Sequence, residues 1–241
     1  MLYYIKNQMR LDKYLADSSE YTRSEVKNLI KKGQVTVNRN IIKDPGYIVD
    51  EDNDICTLGG TVVEYHKYHY IMLNKPEAYV CSSDEKGQHS ILELIDEPYR
   101  DRLFPIGRLD KDTTGLLILT DDGPLSHKLL APKKHVDKEY EIISKEPVTG
   151  EMIEKFSEGI DIGDEKLTLP AILKITDDEY HSNIILHEGR YHQIKRMFEA
   201  CGNLVLSLNR IRMKNLLLDP KLKQGEYRAL TQYETEGLKN D

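Results

Sequence analysis

The sequence predicts an α+β protein made of two domains, and three observations predict it. Helix-like and strand-like stretches are interspersed along 241 residues without regular βαβ alternation. The pattern changes near Tyr70, where a polar connector rich in tyrosine and histidine, Glu64 to His69, gives way to apolar runs. Apolar residues make up 39% of the chain, enough for one sizeable core and a satellite.

The first domain reads as two short helices and a small hairpin. Met9-Arg10-Leu11-Asp12-Lys13-Tyr14-Leu15 starts a helix with Leu11 and Leu15 on one face. Thr22-Arg23-Ser24-Glu25 has capping-box spacing: Thr22 accepts from the third helical amide while Glu25 reaches back. Val26, Leu29 and Ile30 then form an inner face, and Lys27, Lys31 and Lys32 take the remaining surface. Gly33 stops the helix. Val35-Thr36-Val37 alternates as a strand, Asn38-Arg39-Asn40 and Asp44-Pro45-Gly46 turn, and the module is complete near Cys56. At about fifty residues it is small for an autonomous core and is expected to lean on a neighbour or partner.

Leu58-Gly59-Gly60-Thr61 reads as a turn near the end of that module. The expected organisation is an extension over 1–8, with Met9 an alternative start, a first domain over 9–57, a linker over 58–69 and a second domain over 70–241.

In the second domain Tyr70-Ile71-Met72-Leu73 is a strand ended by Asn74-Lys75-Pro76. Leu116-Leu117-Ile118-Leu119 is a continuous apolar run, read as a buried strand. Tyr140-Glu141-Ile142-Ile143 alternates, Met152 to Phe156 predicts a helix, and Asn183 to Leu186 predicts another strand. Ile194, Met197, Phe198 and Cys201 share one face of a helix over Tyr191 to Cys201, with Gly202 behind it. Leu204 to Leu208 is again strand-like.

Composition excludes several classes. Charged residues reach 31% and no run approaches the ~20 apolar residues of a spanning helix. Met1 to Arg10 lacks the apolar core of a secretory signal. Cys56, Cys81 and Cys201 are widely spaced, which argues against a disulfide scaffold or zinc ribbon and fits a reducing cytoplasm. There is no Gly-rich phosphate loop ending in Gly-Lys-Ser/Thr, no dinucleotide fingerprint and no nucleophile elbow, so a nucleotide-dependent enzyme is disfavoured.

The net charge of −7 by itself argues against a nucleic-acid partner, but its distribution says otherwise. Met9 to Lys43 holds eight Lys/Arg against four Asp/Glu, and His187 to Lys214 holds six against two. Lys145 to Glu188 holds four against eleven and alone equals the whole deficit. The chain is patterned, with two basic segments and one acidic block; with a nucleic-acid partner, the basic segments would meet it in a salt-sensitive way and the acidic block would face away.

Three stretches could carry chemistry, the third being Lys138-Glu139-Tyr140, where a lone tyrosine at a strand start is ordinarily core or surface packing. Gly107-Arg108-Leu109-Asp110-Lys111-Asp112-Thr113-Thr114-Gly115 leads into the buried strand and then Thr120-Asp121-Asp122-Gly123. A carboxylate on a glycine-flanked loop before a rigid strand is well placed for catalysis; taken alone, a polar turn with solvated aspartates is the simpler reading. A metal site at Asp110 and Asp112 lacks the ligand series of a calcium loop, and no metal is expected. The second motif is His187-Glu188-Gly189-Arg190-Tyr191-His192-Gln193-Ile194-Lys195-Arg196. Its histidines are five apart, so they cannot share a helix face as a zinc protease requires. It reads instead as a basic helix start facing an anion, with a solvated helix face equally plausible.

Together these strings resemble a known family. Met9 to Leu15, Thr22-Arg23-Ser24 and Lys32-Gly33-Gln34-Val35-Thr36-Val37-Asn38 are similar to the S4 RNA-binding domain. Gly107-Arg108-Leu109-Asp110, Thr113-Thr114-Gly115-Leu116-Leu117 and Thr120-Asp121-Asp122-Gly123 resemble the signature of the RsuA family of rRNA pseudouridine synthases. Supporting matches are Leu73-Asn74-Lys75-Pro76, Tyr79-Val80-Cys81-Ser82, Asp96-Glu97-Pro98, Ser126-His127, Lys138-Glu139-Tyr140, Glu188 to Gln193, Lys195 to Phe198, Gly225 to Arg228 and Leu230-Thr231. One departure is Glu77-Ala78, where relatives more often carry a glycine before the tyrosine.

The resemblance implies an S4-like module followed by a catalytic domain with a mixed, mainly antiparallel sheet and Asp110 in its central cleft. It implies an isomerase that converts a specific uridine of small-subunit (16S) rRNA to pseudouridine without a cofactor, acting as a cytoplasmic monomer on 16S rRNA or a small-subunit assembly intermediate. Asp110 matches the essential aspartate, Tyr140 the tyrosine that stacks on the target base, and Lys195 the basic partner that keeps Asp110 ionised. Arg108 would fill the space left by the flipped base. Arg10, Arg23, Lys27, Lys31, Lys32, Arg190, His192, Gln193 and Arg196 are the other expected RNA contacts. The alternatives are a non-catalytic RNA-binding or ribosome-assembly factor, and the same enzyme class acting on 23S rRNA.

Overall fold

The computed structural model describes residues 7–82, 87–131 and 136–240. The chain divides into two compact units, residues 1–68 with 97–101, and residues 69–96 with 102–241.

The first unit contains the expected helix pair. Leu11–Asp17 begins two residues later than its motif, because Met9 belongs to a short strand, Gln8–Arg10, paired antiparallel with Ile48–Asp50. Arg23–Lys31 starts on a complete capping box between Thr22 and Glu25. Leu11, Leu15, Val26 and Ile30 are fully buried and pack with Val35, Val37, Val49 and Cys56. A four-stranded sheet completes the unit in the order Asn40–Ile41, Val35–Val37, Cys56–Leu58, Thr61–Val63. Leu58-Gly59-Gly60-Thr61 is a turn, as the sequence predicts, and Thr61–Val63 pairs back beyond it as a further strand. Gly59 and Gly60 have φ of 59° and 88°, the left-handed pair that a two-residue hairpin turn demands.

The second unit is built on a nine-stranded sheet among the described residues. Its main path runs Ile172–Ile175, His181–Leu186, Lys138–Ser144, Val205–Met213, Thr114–Thr120, Tyr70–Lys75, Tyr227–Ala229. Every pairing is antiparallel except Thr114–Thr120 with Val205–Met213, so the sheet is mixed and mainly antiparallel, as the sequence predicts. All seven residues of Thr114–Thr120 are buried, which explains the unbroken apolar run. Leu116 and Ile118 pack with Met72, Leu125, Leu129 and Leu238. Elsewhere the helices Gly150–Glu158 and Gln193–Glu199 meet through an edge-on contact of Phe156 with Phe198 at 5.5 Å.

Two helices escape the sequence reading. Gly123–Leu130 is capped by Asp122, whose carboxylate accepts from Leu125 N–H at 3.0 Å, and Gln232–Lys239 opens on a capping box of Thr231 and Glu234. Both were legible as cap signals but have short apolar stripes.

Candidate active site

Asp110 lies on a tight turn ahead of the buried strand Thr114–Thr120, closed by Thr113 N–H to the Asp110 carbonyl at 3.1 Å. Three groups hold this turn from the protein side. Lys75, fully buried at the end of its strand, donates its ammonium to the carbonyls of Thr113 at 2.9 Å, Pro76 at 3.0 Å and Lys111 at 3.4 Å. Burial pushes the Lys75 pKa down, and nearby Cys81 and the carboxylates of Asp112, Asp110 and Glu77 offset part of that. Ala78 N–H donates to Lys111 O at 2.9 Å, and Leu109 N–H donates to the Cys81 sulfur at 3.3 Å. Burial raises the Cys81 pKa, which suits a structural thiol better than a nucleophile.

The strand that follows is tied to Val205–Met213 by a close approach at Gly115. A Cβ there would lie 2.3 Å from the Arg210 carbonyl oxygen, and φ is +101°. Only glycine permits this parallel contact, which sets the Asp110 turn beside the strand carrying Leu208 and Arg210.

Across the cleft stands the second motif. Its helix covers Gln193–Glu199 only, because His192 adopts a left-handed backbone with φ 48° and ψ 34°. That conformation is uncommon outside glycine, and such strain tends to gather at functional sites. The His192 ring stacks on Tyr191 with centroids 3.9 Å apart. Its Nε2 lies 3.6 Å from Asp110 Oδ1, while Lys195 Nζ lies 3.5 Å from Asp110 Oδ2. Lys195 makes its shorter contact elsewhere, donating to Asp112 Oδ1 at 2.5 Å. Burial works against the Asp112 charge, but the hydrogen bond and charge of Lys195 prevail and hold its pKa below the ordinary carboxylate value.

Lys138 and Tyr140 share one face of their strand, and Arg210 pairs across from Tyr140. These residues, Leu208, Asp110 and Lys195 line a single cleft of about 690 Å³. Of the expected site residues, Arg108, Arg190, His192 and Gln193 line it as well. Tyr140 is buried, whereas Arg108 is exposed.

Other expected RNA contacts have internal partners. Arg190 donates to Glu188, Asp164 and the carbonyls of Lys166 and Leu167. Arg196 donates to Asp164 Oδ1 at 2.6 Å and to the carbonyls of Ile162 and Tyr191. Gln193 is buried, accepts from Arg190 N–H and donates to Glu188. The second basic segment is thus largely neutralised inside the unit: Arg212 pairs with Glu139 at 2.7 Å and Arg210 is buried against the Leu116 carbonyl. The acidic block does not lie wholly apart from the cleft, since Glu188 lines it.

In the first unit Asp12 is completely buried between Arg10, Arg23 and Lys27, at 3.1, 3.1 and 3.8 Å. Burial opposes its charge, yet hydrogen bonds from Arg10 and Arg23 lower its pKa to about 2. Lys31 and Lys32 are exposed.

Sequence reasoning missed Asp112 as a partner of Lys195, Lys75 as the support of the turn, and Arg210 in the floor. Arg210 carried a signal: it occupies a buried phase of an alternating strand, two residues from Leu208.

Residues 69–200 match the RNA pseudouridylate synthase family and residues 9–55 match the S4 domain. Ribosomal small subunit pseudouridine synthase A of Vibrio vulnificus is 43% identical over 232 residues, covering 95% of this chain and 99% of the relative. The Escherichia coli K12 protein of the same name is 39% identical, covering 94% and 98%. A solved structure, described as a crystal structure of pseudouridylate synthase, superposes with a TM-score of 0.68 at 39% identity, covering 95% of this chain and 99% of the other.

Proposed function

Because the chain belongs to the RNA pseudouridylate synthase family and carries an S4 domain, we propose that its substrate is one uridine of small-subunit ribosomal RNA. The near-complete match to relatives named for the small ribosomal subunit supports that choice of RNA. The observation that carries the catalytic reading is Asp110, set in the cleft with Lys195 on one carboxylate oxygen and His192 on the other.

The reaction is an isomerisation. The bond between the sugar C1′ and the base N1 breaks, the base turns, a bond forms from C1′ to C5, and the C5 proton is lost as N1 gains one. Asp110 either attacks as a nucleophile or stabilises the cationic sugar and takes the proton. Lys195 places its ammonium 3.5 Å from the Asp110 carboxylate, a favourable charge beside the reacting group. Tyr140, on the floor, stacks on the base. The sugar carbon is reached by flipping the nucleotide out, at a cost of roughly a few kcal/mol, and Arg108 fills the gap in the RNA.

Phosphate contacts offset that cost. Arg10, Arg23 and Lys27, gathered by Asp12, and the exposed Lys31 and Lys32 supply them from the first unit. Arg108 and His192 supply contacts in the cleft. Arg190, Gln193 and Arg196 serve RNA binding by holding the cleft wall through their internal bonds.

Mapping pseudouridine in rRNA from strains with and without the gene tests the proposal. Loss of one small-subunit site supports it. Loss of a large-subunit site, or of none, contradicts it.

A further inference from the structure

The two aspartates of the catalytic turn share one lysine. Asp110 opens the turn and Asp112 follows two residues on, so both carboxylates are presented from one backbone loop. Lys195 Nζ is at hydrogen-bond distance from Asp112, 2.5 Å, and at ion-pair distance from Asp110, 3.5 Å. The spacing is not left to chance. Lys75 and Ala78 grip the turn from beneath, and Lys195 rises from a helix whose neighbours Ile194 and Met197 are buried.

A lysine hydrogen-bonded to Asp110 would stabilise its charge and make it a poorer nucleophile and base. With that hydrogen bond drawn away, Asp110 feels the ammonium as a nearby charge while its oxygens remain available to substrate. We propose that Asp112 is a positioning residue that holds Lys195 off Asp110 and so sets the reactivity of the catalytic carboxylate. This rests on the assignment of Asp110 made above.

The pair contributes little to folding, since Asp112 is 68% exposed and such pairs are worth little in water. Other titratable and charged groups also face the trio. They are His192 before the helix, Lys75 and Glu77 at the end of their strand, and Arg108 and Lys111 on the loop itself. Lys138, Glu188, Arg190 and Arg210 face the cleft from its other walls, with Tyr140 among them.

The test is single-turnover pseudouridine formation by the full-length protein on a small-subunit rRNA transcript, measured against pH. Wild type, Asp112→Asn and Asp112→Glu are compared, with thermal melts to show that all are folded. Removing a negative charge beside Asp110 makes its proton easier to lose. The acidic limb of the Asp112→Asn profile therefore moves to lower pH. The plateau rate falls about tenfold with little change in the RNA concentration for half-saturation, and Asp112→Glu restores both. An Asp112→Asn profile that superposes on an active wild type overturns the positioning role. A wild type inactive on every rRNA overturns the assignment of Asp110 instead.

Discussion

The backbone N–H of Ala78 donates to the Lys111 carbonyl at 2.9 Å from a left-handed conformation, φ 70°. The contact pins the Asp110 turn, and the conformation costs a residue with a Cβ about 1–2 kcal/mol. Ala78→Gly relieves that strain, while glycine's freer unfolded chain returns part of the gain. The expected net stabilisation is about 0.5–1 kcal/mol, read as a higher urea midpoint with an unchanged slope. A lower midpoint would show that the conformation is not strained.

Asp12 governs acid stability in the first unit. Its folded pKa of about 2 lies below the ordinary 3.8, so its stabilisation is present above about pH 4 and is lost as pH falls toward 2. Asp12→Asn leaves three cations without their shared carboxylate, at a cost of about 2 kcal/mol at pH 7. Chemical denaturation at pH 7 and pH 3 should show the gap between variant and wild type narrowing at the lower pH. A constant gap would contradict the assignment.

Basic residues of the two units should respond differently to salt. Lys31 is exposed and has no ion pair among the described residues, so Lys31→Gln should lower the slope of log affinity against log salt by about one. Arg196 is committed to Asp164 and to the Ile162 carbonyl. Arg196→Gln should leave the slope nearly unchanged and speed amide exchange around Gly163 to Leu167. Filter binding across a salt series and hydrogen exchange separate the two. A slope lowered equally by both substitutions would place Arg196 on phosphate.

The fold was legible where one local rule decided it. The capping box at Thr22 and Glu25 appears as read, and the apolar run at Leu116 is a strand buried on both faces. Reading failed where a tertiary contact decided. Tyr191 and His192 look helical by periodicity, but the left-handed His192 delays the helix to Gln193. The candidate site was half legible. Asp110, Tyr140 and Lys195, expected from the family resemblance, line one cleft. Counting charge along the chain could not reveal that Asp164 occupies Arg190 and Arg196, because the acid and its bases lie more than twenty residues apart in sequence. Nor could it reveal that Lys195 prefers Asp112 over Asp110.

Whether Asp110 performs the chemistry is tested most directly with Asp110→Asn under single-turnover conditions on small-subunit rRNA. The substitution keeps size and the turn's backbone bonds while removing the charge. Binding should stay within about twofold of wild type, and product should fall at least about a thousandfold. Turnover within tenfold of wild type, with binding intact, would contradict the assignment.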